Sequence, residues 1–188
     1  MNFAKELVNL DLSSYSSEVV FASFDVTSLF TNIPVHETID IILDRLFKDK
    51  DFIFDQYEVP FALKREQVKE LLQLASLDNH FLFDGKMYEQ TDGVAMGSPL
   101  GPTLAMEFMC SMEEQWLADC PLEIRPLFYK RYVDDSFLIF KSHDQIDKFL
   151  NYLNNKHQNI KFTSDVEENN TLPFLETYFK HENNIISS

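Results

Sequence analysis

The chain is short of the residues that build crosslinked or loop-rich folds. It has two cysteines, four glycines and one tryptophan in 188 residues. Cys110 and Cys120 stand ten positions apart, on or beside one expected helix. That spacing suits neither a disulfide framework nor a zinc site. An intracellular protein, nuclear or cytoplasmic, is therefore expected rather than a secreted one. No apolar run approaches membrane-spanning length, so no membrane association is expected. The opening MNFAKELVNLDL lacks the apolar stretch of a signal peptide. No repeat, low-complexity tract or Gly/Ser-rich linker breaks the sequence, and a single domain over 1–188 is expected.

Basic charge is scarce as well. Sixteen Lys and Arg face 31 Asp and Glu, for a net charge of -15. This excludes a protein whose whole surface grips nucleic acid. The charge is uneven, however. Residues 125–163 hold seven bases against four acids, the one stretch with a net positive balance.

What the chain has is apolar and aromatic bulk. Hydrophobic residues make up 45% and aromatics 14%, with 18 phenylalanines, which points to a folded chain with an aromatic core. EVVFASFDV (18–26) reads as a buried strand, and Pro34 suits the first position of a helix through VHETIDIILDRLF. KREQVKELLQLASL carries Val68, Leu71, Leu72 and Ala75 at helical spacing. HFLFDGKMYEQ reads as a hairpin turning at Asp84-Gly85. TDGVAMGSPLGP is a loop into the helix TLAMEFMCSMEEQWLAD. PLFYKRYV and SFLIFK are strands around Asp134-Asp135. Ser142 and Gln145 have capping-box spacing for a helix over 143–157, with Ile146, Phe149, Leu150 and Leu153 as its apolar stripe. IKFTSDV and LPFLETYF are read as two closing strands joined by a turn at EENN. The expected class is α+β, a sheet with helices packed on one face.

The chemistry lies in RYVDDSFLIF. Adjacent acids are poor strand formers, and Asp134-Asp135 interrupt an otherwise core-like run. Acids in such a place are commonly turn residues. A second possibility follows if the strand ending at Asp25 lies beside this one. Asp25 and Asp134 then converge at one sheet end, and a hard divalent cation would relieve their repulsion. Two such ions are a general solution for moving a phosphoryl group.

The ordered phrases DVTSLFTNIP, GVAMGSPLGPTLA, RYVDD and LPFLE resemble the palm of a reverse transcriptase, most of all the Penelope-like retroelement type. The resemblance covers about residues 18–180. It implies a polymerase palm-type antiparallel sheet, with partial fingers and no thumb or endonuclease. It implies an RNA-directed DNA polymerase that takes an RNA template, a DNA primer and deoxynucleoside triphosphates, with two Mg²⁺ ions as cofactors (Mn²⁺ as a substitute). The chain alone is expected to be an incomplete polymerase, with little or no processive synthesis. By this resemblance Asp25 and Asp134 bind the metals with the Val26 carbonyl, and Asp135 supports them. Phe30 packs on the sugar and excludes a 2′-hydroxyl. Gly93, Met96 and Gly97 line the nucleotide, with Asp92 standing where many relatives have Gln. Tyr132 and Val133 lie under the primer end, and Leu172, Phe174 and Leu175 belong to a primer-supporting hairpin. Lys161 is a possible general acid to pyrophosphate. The alternative is an inactive retroelement-derived remnant kept as a binding or scaffold module. Oligomeric state is left open.

Overall fold

The computed structural model describes Leu7, Leu10 and residues 19–48, 63–77, 80–91, 93–95, 97–182 and 185–187. The chain forms two compact units, one of 1–27 with 116–188 and one of 28–115.

The first unit is built on a four-stranded antiparallel sheet. Its strands are β1 (Val20–Val26), β4 (Phe128–Tyr132), β5 (Asp135–Phe140) and β6 (Phe162–Val166), in the order β4-β5-β1-β6. The expected adjacency of the 18–26 strand and the strand after Asp134 is present. The register runs from Val20 opposite Phe140 to Asp25 opposite Asp135. Side chains alternate between faces. Ala22, Phe24 and Val26 thus share a face with Ser136, Leu138 and Phe140, and all six are buried. Helix α5 (His143–Asn154) covers this face with Ile146, Phe149 and Leu153. The Phe149 ring lies 6.0 Å from Phe24 and 5.7 Å from Phe140. Each fully buried large apolar side chain contributes roughly 1.5–3 kcal/mol.

The opposite face carries Phe21, Phe137 and Ile139, and it is covered by a second sheet, β7 (Thr171–Phe174), β8 (Thr177–Glu182) and β9 (Ile185–Ser187). Phe137 is the hub. Its ring lies 5.2 Å from Phe21, 5.5 Å from Phe174 and 5.4 Å from Phe179. A buried polar joint links the two sheets where β6 departs from β1. The Glu167 carboxylate accepts the Phe21 N–H at 3.0 Å and lies 2.9 Å from His181 Nε2. The side chains of Glu167 and His181 are only 7% and 12% exposed.

The second unit holds one helical turn, α1 (Leu29–Asn32), and the helices α2 (Val35–Lys48) and α3 (Arg65–Leu77). It also holds the hairpin β2 (His80–Phe83) and β3 (Lys86–Glu89), and most of α4 (Gly101–Ala118). The hairpin turns as expected, with Asp84 and Gly85 both at positive φ (49° and 71°), the geometry of a type I′ turn.

Three local expectations are corrected. Pro34 precedes α2 rather than opening it, and its carbonyl accepts the Thr38 N–H at 2.9 Å. The capping box of α5 does not close. Gln145 Oε1 accepts the Lys141 N–H, and its Nε2 donates to the carbonyls of Glu123 and Arg125. Its amide therefore holds the 121–126 loop, and Ser142 makes no side-chain cap. LPFLETYF is not the single strand its pattern suggests but a hairpin, β7–β8, as the resemblance implies, turning at Leu175 and Glu176 with φ of 47° and 60°. Neither residue type signals such a turn. Burial of Leu172, Phe174 and Phe179 imposes it.

Three substitutions test these contacts by their effect on stability. Glu176 is exposed and left-handed, a conformation that costs an ordinary residue roughly 1–2 kcal/mol. Glu176→Gly is expected to raise the unfolding free energy by about 1 kcal/mol in urea melts. Asn169→Gly, at a left-handed position with a residue that tolerates it (φ 51°), should change almost nothing. His181→Ala is expected to cost about 2–3 kcal/mol, because it leaves the buried Glu167 carboxylate short of a partner.

Candidate active site

The open end of the first unit's sheet gathers the carboxylates. Asp25 is the next-to-last residue of β1, and Asp135 opens β5 directly across from it. Asp134 occupies the two-residue turn between β4 and β5 with Val133. The register thus sets Asp135 rather than Asp134 opposite Asp25. Cross-strand partners share a face, so Asp25 and Asp135 lie on the face opposite α5, beyond the part covered by the second sheet. The strand end is tied on both sides. Val26 N–H donates to the Asp134 carbonyl at 3.1 Å, and Thr27 N–H donates to the Lys161 carbonyl at 2.8 Å.

The electrostatics record crowding of like charge. Partial burial, then the charge of Asp134, then that of Asp165 push the Asp25 carboxyl above its ordinary range. Burial, then Asp134, then Asp25 do the same to Asp135. Asp134 is thus the charge that both neighbours feel. Asp165 was not foreseen from the sequence. It lies on β6 opposite Ser23, two positions along the same face from Asp25. The alternation in FTSDV carried the signal, but only the pairing of β6 with β1 brings it to this site.

The turn itself is strained. Val133 has φ 59°, and a β-branched residue rarely adopts that conformation. Arg131 braces it by donating to the Val133 carbonyl at 2.7 Å. Arg131 was legible in the sequence only as part of a local basic excess. Tyr132 is exposed beside it.

The remaining expected residues divide. Leu172 and Phe174 are buried and Leu175 is half-buried in the aromatic core. They support the β7–β8 hairpin from below. The Lys161 ammonium donates to the carbonyls of Asn154 (2.6 Å) and His157 (3.1 Å). It thereby caps the end of α5. In the second unit, Phe30 and Gly93 are in contact, and Val94 N–H donates to the Phe30 carbonyl at 2.7 Å. Gly97 is exposed with φ 95°, which strains any side chain placed there. Met96 and Asp92 lie outside the described residues.

Among the described residues no three Asp, Glu, His or Cys side chains already form a group that could hold a metal ion. The donor set nonetheless fits a hard cation. The oxygens of Asp25, Asp134 and Asp135 carry unrelieved repulsion, and hard divalent ions take such ligands. No helix among the described residues is long and apolar enough to cross a membrane.

The family model for reverse transcriptase (RNA-dependent DNA polymerase) matches residues 5–167. The chain belongs to the reverse transcriptase family. None of the curated proteins searched matches it. Among solved structures, apo telomerase from Candida tropicalis, truncated of its C-terminal domain, superposes with a TM-score of 0.63 at 14% identity. The match covers 94% of this chain and 37% of that one. Telomerase from Candida albicans, in complex with a fragment of telomeric RNA, gives 0.64 at 13% identity, over 87% of this chain and 30% of that one. These likenesses establish the polymerase fold, and this reverse transcriptase chain spans about a third of the telomerase chains.

The raised carboxyl pKa values set the sign of a pH effect. An acid whose pKa is higher folded than unfolded costs stability above its folded pKa, and the cost is relieved as pH falls through that value. Asp134→Asn removes a charge that acts on both neighbours. In chelator at pH 7 it is expected to stabilise the chain, by on the order of 0.5 kcal/mol for a partly exposed charge cluster. The gain should shrink in melts at about pH 4, near ordinary carboxyl pKa values. Millimolar Mg²⁺ should raise the melting midpoint of the unsubstituted chain at pH 7 and do so less for Asp134→Asn.

Proposed function

We propose that the chain is the palm, with partial fingers, of an RNA-directed DNA polymerase of the Penelope-like retroelement type. It would extend a DNA primer on an RNA template. The observation that carries this reading is the pairing of Asp25 with Asp135 at an open sheet end, with Asp134 in the adjoining turn. Membership of the reverse transcriptase family supports it.

Asp25 and Asp134 would hold two Mg²⁺ ions, with the Val26 carbonyl as a further oxygen ligand and Asp135 as support. Bound there, the ions supply charge neutralisation for an attacking hydroxyl and a departing pyrophosphate. The protein's own part is placement. The ladder holds Asp25 and Asp135 on rigid strands, and the Val26 N–H to Asp134 carbonyl bond fixes the turn against β1. A primer 3′-hydroxyl attacks the α-phosphate, the new P–O bond forms, and the bond to pyrophosphate breaks. Tyr132 and Val133 would meet the primer end, and the β7–β8 hairpin would support its backbone. Phe30 would face the sugar and, with Gly93, Met96 and Gly97, line the nucleotide. Lys161 serves as general acid only by leaving the carbonyls of Asn154 and His157.

Primer extension on an RNA template with Mg²⁺ tests the reading. Asp25→Asn and Asp134→Asn are each expected to lower the rate by about 10³-fold, the scale on which such charge stabilisation acts. Equal rates for both variants and the unsubstituted chain would show that these carboxylates do not carry the reaction.

A further inference from the structure

Phe30 sits in α1, a single helical turn, and one turn does not hold itself in water. Its own bonds are few. The N–H groups of Thr31 and Asn32 and the hydroxyl of Thr31 all converge on the Ser28 carbonyl. Ser28 is itself left-handed, with φ 49°, and makes no side-chain cap. What fixes the turn comes from a distant part of the chain. Val94, buried, donates its N–H to the Phe30 carbonyl at 2.7 Å. Gly93, at φ +69°, lets the two backbones touch. A Cβ on Gly93 would lie 2.4 Å from the Thr31 oxygen and 2.6 Å from the Phe30 oxygen. Real Cβ atoms essentially never approach within 3.0 Å, so any side chain here forces the two segments apart. The Phe30 Cδ1 faces Gly101, 3.8 Å from where a Cβ there would stand. The ring is carried on the Phe30 backbone that Gly93 and Val94 hold, so a shift of that backbone moves the ring.

We propose that Gly93 and Val94 are positioning residues for sugar selection, holding the Phe30 ring at the one place where it blocks a ribonucleotide and admits a deoxynucleotide. This rests on the reading of Phe30 as the residue that faces the sugar. A steric block discriminates over a narrow range of positions. Moved away, it admits both sugars, and moved inward, it excludes both. Either displacement erodes the difference between them.

The test is the ratio of kcat/KM for a deoxynucleotide to that for the matching ribonucleotide, in primer extension by the full chain. Both substrates are read by the same folded molecules, so a loss of folded protein cancels from the ratio. Gly93→Ala is expected to lower the ratio by about tenfold, the scale on which one misplaced group changes discrimination. Val94→Ala, which loosens the crossing without a clash, should lower it by a smaller factor in the same direction. It decides the question alone if Gly93→Ala does not fold. Both effects should vanish when added to Phe30→Ala, as they must if they act through the ring. An unchanged ratio in Val94→Ala and in any folded Gly93→Ala, or an effect that persists on Phe30→Ala, overturns the proposal. If a longer chain carrying fingers and thumb around this palm also extends no primer and is insensitive to Asp134→Asn, the polymerase reading falls and takes the inference with it. If it extends primers and Phe30→Ala leaves the ratio unchanged, the assignment of Phe30 to the sugar is what fails.

Discussion

Everything at the candidate site depends on the antiparallel register of β1 and β5. Side chains on a strand alternate strictly, so the pairing decides at once which residues pack on α5 and which share the face of Asp25. With Phe24 opposite Ser136, the Phe24 ring packs on Phe149 of α5. The same register leaves Asp25 opposite Asp135 on the other face. A slip of one residue would drive Asp25 towards the helix and Phe24 into water. The aromatic core and the carboxylate site are thus enforced by one constraint, with Phe21 and Phe137 anchoring the second face at 5.2 Å from each other.

Strain is distributed unevenly among the turns. Asp84-Gly85 and Asn169-Asn170 put tolerant residues at positive φ. Val133 and the pair Leu175-Glu176 put intolerant ones there. The two strained turns stand in RYVDD and LPFLE, the phrases on which the polymerase reading leans. Strained backbone persists where the surroundings over-determine it. Here the surroundings are identifiable. Arg131 and the Val26 N–H hold the first turn, and the buried pair Phe174 and Phe179 hold the second.

Local pattern made much of this legible beforehand. The helical spacing of Ile146, Phe149 and Leu153 and the Asp-Gly hairpin both appear where periodicity and turn chemistry put them. The misreadings share a cause. Gln145 has the spacing of a capping residue, but its amide is drawn to the carbonyls of Glu123 and Arg125, a contact across 20 or more positions. LPFLETYF has the composition of a strand, yet burying Leu172, Phe174 and Phe179 against Phe137 requires it to fold back on itself. In each case a tertiary partner outcompetes the local preference.

The class of fold, the existence of an acidic centre and the family resemblance were legible in the order of residues alone, because they rest on periodicity and on ordered local phrases. Which carboxylate lies opposite Asp25, the presence of Asp165 on the same face, and the meeting of the Gly93 backbone with Phe30 came from the folded arrangement. Strand order and register set the first two, and the crossing of a loop over a helical turn sets the third, through partners about 60 to 140 positions away. No local pattern specifies which distant strand will be the neighbour.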